Sequence, residues 1–252
     1  MTFKLESKSI AEWQSVTGFL IKMVDRATFY VTQSGLVLRA LDASHTGMVD
    51  LNMPSSNFEK FETDSDTSFT ISMDAFVKAI GRAKPSDKLI LYSQNGKNLV
   101  LQITGLYDKE YTLTLEEEQI EMGKPVDVDV KANMQVKAHV FATCIDDIRP
   151  VTEKAVNFNV VQDKVEFLGK DKSIGNKVVV SLDSSTEGVM DIDAKEDFST
   201  HYDLNWISNI MSVGKDVEQI WLSWGVGQPL RIGFKIGSSA TLDFYLAPRI
   251  EE

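Results

Sequence analysis

Phe29-Tyr30-Val31-Thr32-Gln33 recurs 129 positions later as Phe158-Asn159-Val160-Val161-Gln162, and Val49-Asp50-Leu51-Asn52-Met53 falls at the same offset on Val178-Val179-Val180-Ser181-Leu182. The apolar positions coincide in both pairs. Further along, Phe76, Ile80, Leu89, Leu91, Leu99, Leu101 and Ile103 land on Ile207, Met211, Ile220, Leu222, Leu230, Ile232 and Phe234 at an offset of 131. Identity between the halves is low while their periodicity is shared, which marks an old duplication of one folding unit.

Each copy carries the same order of elements. In the first, a short strand at Thr2 to Leu5 precedes a helix near Ser9 to Met23, where Trp13, Val16, Leu20 and Val24 recur at helical spacing. Strands are expected at Thr28 to Thr32 and Leu36 to Ala40 around a Ser34-Gly35 turn, then at Met48 to Met53. A second helix, Met73 to Ala83 behind a Ser72 cap, puts Met73, Phe76, Val77 and Ile80 on one stripe. Strands around Leu89 to Ser93, Leu99 to Ile103 and Tyr111 to Leu115 complete the unit. The second copy predicts a strand near Val126 to Val130, a helix near Val136 to Ile148, further strands, a helix near Leu204 to Met211 behind Asp203, and three final strands.

The fold class is therefore α+β, two duplicated domains with two helices each packed on antiparallel sheets. Their expected limits are residues 1–115 and 127–252. Between them, residues 116–126 hold four glutamates, Gly123 and Pro125, the composition of an exposed connector. Ile120 and Met122 within it are apolar, and hold it against the body or offer themselves to a partner.

At 252 residues, with 43% hydrophobic and 25% charged residues, the chain has the composition of an ordinary folded protein. No apolar run approaches the ~18 residues of a membrane span, and the charges in Thr2-Phe3-Lys4-Leu5-Glu6-Ser7-Lys8 argue against a signal peptide. One cysteine, Cys144, excludes an internal disulfide, a zinc ribbon and a CxxC motif, and suits the reducing interior of a cell.

Catalytic signatures are missing. There is no phosphate loop, since Gly169-Lys170-Asp171-Lys172-Ser173 lacks the frame of glycines, and Gly225-Val226-Gly227 has Leu230 where a dinucleotide loop needs its third Gly. His45, His139 and His201 are scattered, so no metal set and no cofactor is expected. Asp42-Ala43-Ser44-His45 contains the residue types of a hydrolase triad, but triad members converge from separate parts of a fold, and Asx-type turn bonding accounts for Asp42 and Ser44.

Lys and Arg number 26 against 37 Asp and Glu, a formal charge of -11 shared by both halves, which excludes uniform attraction to nucleic acid or an anionic membrane. The cations are placed nonetheless. With Phe76 at zero and about 100° per residue, Lys78 and Arg82 fall near 200° and 240°, opposite the buried stripe. Lys84 follows, Lys22 and Arg26 close the first helix, Lys137 and Arg149 flank the third, and Lys215 lies past the fourth. Acids gather at Glu116 to Glu121, Asp191 to Asp197 and Glu251-Glu252, away from the helices.

From end to end the chain resembles the proliferating cell nuclear antigen (PCNA) family of sliding clamps. Leu41-Asp42-Ala43-Ser44-His45 is similar to the family's Asp-Ser-Ser-His segment, and Tyr245-Leu246-Ala247-Pro248-Arg249-Ile250-Glu251-Glu252 to its Leu-Ala-Pro-Lys-Ile-Glu terminus. Its compact size is similar to that of archaeal members. The resemblance implies a trimeric ring, homotrimer or heterotrimer, whose helices line a central hole. Subunits would meet through one edge strand with Lys109, Tyr111, Leu113 and Leu115 and another with Lys177, Val178, Val180 and Leu182. Double-stranded DNA would pass through the hole and be contacted, without sequence preference, by Lys22, Arg26, Lys78, Arg82, Lys84, Lys137, Arg149 and Lys215.

A partner groove would include Leu41, His45, Met122, Pro125, Pro229, Tyr245, Leu246, Ala247, Pro248 and Ile250, and receive a Gln-x-x-aliphatic-x-x-aromatic-aromatic motif. The implied partners are a DNA polymerase, a flap endonuclease, a DNA ligase and a clamp loader. The implied function is that of a non-enzymatic clamp, intracellular and DNA-associated: in the cytoplasm or nucleoid of an archaeon, or the nucleus of a eukaryote. The competing reading is a clamp-like peptide-binding hub that does not encircle DNA.

Overall fold

Phe3-Lys4-Leu5-Glu6-Ser7 alternates, and its alternate residues Phe3, Leu5 and Ser7 are buried, so the first strand, β1 (Phe3–Ser7), lays one face on a core. The computed structural model describes residues 2–152, 154–162, 164–171, 173–214 and 217–250. Two units follow from the chain's internal packing: Met1–Lys124 with Lys235–Leu242, and Pro125–Phe234 with Asp243–Glu252.

In the first half, β1 is followed by α1 (Ile10–Leu20), β2 (Arg26–Thr32), β3 (Gly35–Leu41), β4 (Gly47–Pro54), β5 (Phe58–Thr63), β6 (Thr67–Ser72), α2 (Met73–Ile80), β7 (Lys88–Ser93), β8 (Asn98–Thr104) and β9 (Lys109–Thr114). Two antiparallel arrays form, ordered β5-β1-β7-β8-β9 and β4-β3-β2-β6. Gly35 makes the β2–β3 turn possible: its φ is 152°, and a Cβ there would run into the Met53 carbonyl oxygen.

The second half repeats the order with β10 (Ala132–Lys137), α3 (Ala138–Ile148), β11 (Ala155–Val161), β12 (Lys164–Lys170), β13 (Lys177–Leu182), β14 (Val189–Ala194), β15 (Phe198–Asp203), α4 (Leu204–Gly214), β16 (Gln219–Trp224), β17 (Leu230–Ile236) and β18 (Ala240–Leu246). Its arrays run β14-β10-β16-β17 and β13-β12-β11-β15. In each half the helices pack as a pair, α1 with α2 and α3 with α4.

The duplication extends into the cores. Trp13 of α1 sits 6.2 Å from Phe29 of β2, and at the equivalent positions Phe141 of α3 sits 6.2 Å from Phe158 of β11. Phe76 and Phe69 complete the first aromatic cluster; Phe167, Tyr202 and Trp224 complete the second. Each such ring is almost fully buried, worth about 1.5–3 kcal/mol of transfer free energy per side chain, so these clusters hold the helix pairs on their sheets.

Three sequence expectations are corrected. Val126 to Val130 is not a strand: its valines alternate with Asp127 and Asp129, but it pairs with no strand among the described residues, and β10 is the copy's first strand. Aspartate is poorly suited to strands, whereas Ala132 to Lys137 finds β16. Both first-half helices end early. After Leu20 the chain tightens through Lys22 N–H to Phe19 and Met23 N–H to Leu20, and after Ile80 it turns at Gly81, so Arg82 and Lys84 stand beyond α2. Finally, β5 and β6 occupy a stretch where no strand is expected from the chain's spacing.

Candidate functional surfaces

Helix exposure orders the cations. On α2, Met73, Phe76, Ala79 and Ile80 are buried, and Lys78 is exposed with Arg82 and Lys84 after it. Lys78 Nζ lies 2.7 Å from Asp74 Oδ2, an exposed i,i+4 pair worth about 0.3–0.5 kcal/mol, too weak to withhold the ammonium from a stronger anion. On α1 the outward stripe is Ala11, Ser15 and Gly18, followed by Lys22, small residues that let another surface approach closely. Arg26 is exposed and 3.4 Å from Glu118.

In the second half, Lys137 takes the N-cap position of α3 without a side-chain cap bond, and Arg149 reaches Ser208 Oγ of α4 at 3.3 Å. Both are exposed. Lys215 lies outside the described residues. Acids are not confined away from the helices, because Asp74 on α2 and Asp146 and Asp147 on α3 are exposed helix residues.

The Asp42 loop is a turn. Asp42 Oδ1 accepts the backbone N–H groups of Thr46 and Gly47 at 2.8 and 2.9 Å, while Oδ2 takes the Ser44 hydroxyl at 2.5 Å. Ser44 also contacts the Thr46 hydroxyl at 2.7 Å, so its oxygen is engaged by turn partners. Partial burial pushes the Asp42 carboxyl upward, but the bonds from Ser44, Gly47 and Thr46 outweigh it and hold the group below the usual aspartate range. They also sustain His45 at φ 57°, a left-handed conformation that costs about 1–2 kcal/mol and is outweighed by two charge-assisted bonds. His45 and Leu41 are consequently exposed at either side of the turn.

The connector is laced to the first unit by polar bonds. Glu116 bridges to Thr70, Ile120 N–H donates to Thr28 Oγ1 at 2.9 Å, and the Tyr30 hydroxyl donates to the Ile120 carbonyl at 2.9 Å. Arg39 ends the series by donating to the Gly123 carbonyl at 3.1 Å and receiving the Gly123 N–H on its own carbonyl at 3.3 Å. Ile120 is half-buried, and Met122 stays 38% exposed, so Met122 does little of the anchoring.

Within the second unit, Pro125 is exposed and Pro229 half-buried. Toward the chain's end, Tyr245 and Pro248 are half-buried, Ala247 is exposed and Ile250 is 93% exposed, whereas the Leu246 side chain is buried. Arg249 pins this stretch: its backbone N–H donates to the His201 carbonyl at 2.8 Å, and its guanidinium reaches Asp203 Oδ2 at 2.6 Å and the Lys154 carbonyl at 3.2 Å. The sequence reading missed Arg249 as a tail anchor; a cation inside an apolar terminus was its signal. It also missed Arg39, whose alternation partner Asp50 stands opposite it across β3 and β4.

Of the strands that end an array with one edge unpaired by the chain's own ladders, β5, β6, β9, β13, β14 and β15 among the described residues, two carry the expected contact residues. β9 pairs only with β8, and Lys109, Tyr111, Leu113 and Leu115 are half-buried on one face. β13 pairs only with β12, with Val178 and Val180 half-buried, Leu182 buried and Lys177 exposed. Such edges invite another strand.

No helix of the described residues is long and apolar enough to cross a membrane, and none of their His, Cys, Asp and Glu side chains form a metal-binding group. Cys144 is buried, its thiol pushed up to about 11 by burial and by Asp147.

The family model for the N-terminal domain of proliferating cell nuclear antigen matches residues 3–132. Over the whole of both chains, this one is 30% identical to the DNA polymerase sliding clamp of Nitrosopumilus maritimus and 28% identical to that of Pyrococcus horikoshii. Among solved structures, PCNA from Thermococcus kodakaraensis superposes with a TM-score of 0.93 at 22% identity, over 98% of this chain and 100% of that one. On the strength of a match through both repeats, the chain belongs to the proliferating cell nuclear antigen family.

Proposed function

We infer that this chain is a DNA sliding clamp, a processivity factor rather than an enzyme. The observation that carries this is the end-to-end identity with the Nitrosopumilus maritimus clamp. As a working division, residues 1–115 and 127–252 are the two clamp domains and 116–126 the connector.

The free edges of β9 and β13 support ring closure. β9 of one subunit pairs antiparallel with β13 of the next, setting Tyr111, Leu113 and Leu115 beside Val178, Val180 and Leu182. Three such junctions close a trimer and cover the β9 and β13 edges, which would otherwise invite other strands. Duplex DNA occupies the hole and is held by enclosure, with Lys22, Arg26, Lys78, Arg82, Lys84, Lys137, Arg149 and Lys215 making phosphate contacts that carry no base information. The net charge of -11 does not oppose this, because charges farther off than a Debye length of about 8 Å are screened.

Leu41, His45 and Met122 of the first unit, and Pro125, Pro229 and the stretch Tyr245 to Ile250 of the second, are the residues offered to a polymerase, flap endonuclease, ligase or clamp loader, with an apolar plug as the recognised feature. The protein accordingly works where the cell keeps its DNA, which is the nucleoid if the source is archaeal. Primer extension with a polymerase from the same cell tests the proposal: adding this chain with its loader lengthens products per binding event, and unchanged product length would refute it.

A further inference from the structure

Comparing the repeats position by position shows that the outward helix faces have diverged in charge at particular positions, while Arg26 and Lys84 keep cationic counterparts in Lys154 and Lys215. At the α1-to-α3 offset of 128, Gly18 corresponds to Asp146 and Lys22 to Pro150. At the α2-to-α4 offset of 131, Lys78 corresponds to Asn209 and Arg82 to Val213. Gly18, Lys22, Lys78 and Arg82 are half-exposed or exposed, and so are Asp146, Pro150, Asn209 and Val213.

Helical geometry puts the acids on the outer face. Taking Ile145 of α3 as zero with about 100° per residue, Thr143 falls near 160°, and Asp146 and Asp147 near 100° and 200° on either side of it. Ile145 is 1% exposed, and Thr143 and both acids are exposed. Lys137 and Arg149, at the two ends of α3, are matched in number by the two acids, and Arg249, at the start of α4, is paired with Asp203.

Resting on the clamp reading, we infer that phosphate contact is concentrated on the first repeat, with Lys22, Lys78 and Arg82 as its centre, while α3 and α4 present a neutral-to-acidic wall. A trimer then meets DNA with three basic stations rather than six. The partner is the anionic backbone of duplex DNA, recognised by charge alone. Asp146 and Asp147 keep the second repeat from adding contacts, which favours sliding over tight binding.

The test uses rings loaded onto nicked circular DNA, crosslinked with formaldehyde and mapped by peptide mass. Lys22 and Lys78 should carry crosslinks several-fold more often than Lys137, and N209K should acquire a new one. Equal yield across the two repeats, a majority at Lys137, or none at Lys22 and Lys78 would overturn the inference. Failure of the ring to stay on the circle at all would instead refute the clamp reading. In a salt series, the triple variant K22A/K78A/R82A should lower the slope of log affinity by about 0.9 per cation removed, and K137A/R149A should move it less. The reverse order would contradict the one-sided surface.

Discussion

Asp203 holds Arg249 at 2.6 Å through Oδ2 while its Oδ1 accepts the Trp206 N–H at 3.0 Å, so one carboxylate caps α4 and fixes the chain's last described residues. Tail position is thereby tied to a rigid helix end. The arrangement orders Ala247 and Pro248 before any partner arrives, which reduces the entropy lost on binding.

Arg249→Ala should therefore weaken a motif-bearing peptide by about 3–10-fold, or 0.6–1.4 kcal/mol, with little loss of fold stability because the pair is partly exposed. Asp203→Asn is the informative companion. Asparagine still caps a helix, so it should reproduce the affinity loss while leaving thermal unfolding nearly unchanged. Calorimetric titration of both variants checks this, and undiminished affinity would show that the tail needs no anchor.

Arg39 anchors the connector by the same logic. Its Nε and the second guanidinium nitrogen lie 2.8 and 2.6 Å from Asp50 Oδ2, and its third nitrogen holds Gly123. Removing it in Arg39→Ala leaves a half-buried carboxylate unpaired and should cost about 1–3 kcal/mol in urea unfolding. Amide exchange at Ile120 to Gly123 should accelerate more than exchange in β8.

Asp42 predicts a pH dependence. A carboxyl whose folded pKa is depressed contributes stability that is present above its unfolded value, about 3.9, and is lost as pH falls through the folded value. Asp42→Ala should cost about 1–3 kcal/mol at pH 7, and the gap to the parent should narrow below pH ~4. Equal gaps at pH 7 and pH ~3 would show that the charge contributes nothing.

Val180 offers a check on ring closure. Its half-buried position on a strand edge tolerates a charge within one chain, but not opposite an apolar strand of a neighbour. Val180→Glu should keep the circular dichroism spectrum and reduce the light-scattering mass from three chains to one. A trimer that survives it would locate the contact elsewhere.

Cys144 should be chemically silent. With its thiol raised to about 11 and its side chain buried, alkylation at pH 8 in the native state should be orders of magnitude slower than in urea.

Duplication, helices and most strands were legible because aromatic and aliphatic residues recur at matching offsets. Phe29 and Phe158 head equivalent clusters, and their flanking apolar alternation survives where identity does not. β5 was illegible because the exposed Glu59, Lys60 and Glu62 break its apolar pattern on an edge strand. Val126 to Val130 misled in the opposite direction, having strand alternation without a ladder. The site residues followed family motifs, whereas Arg39 and Arg249 act through bonds to backbone groups distant in sequence, and only folding reveals those. Helix acids went unnoticed because Asp146-Asp147 is a short pair rather than a run.

Retention on DNA of different topology tests the central claim most directly. Rings loaded onto nicked circular plasmid should remain bound through gel filtration at high salt, and a single restriction cut should release them from the ends within minutes. Equal loss from circular and linear DNA would mean that this chain is not held by encirclement.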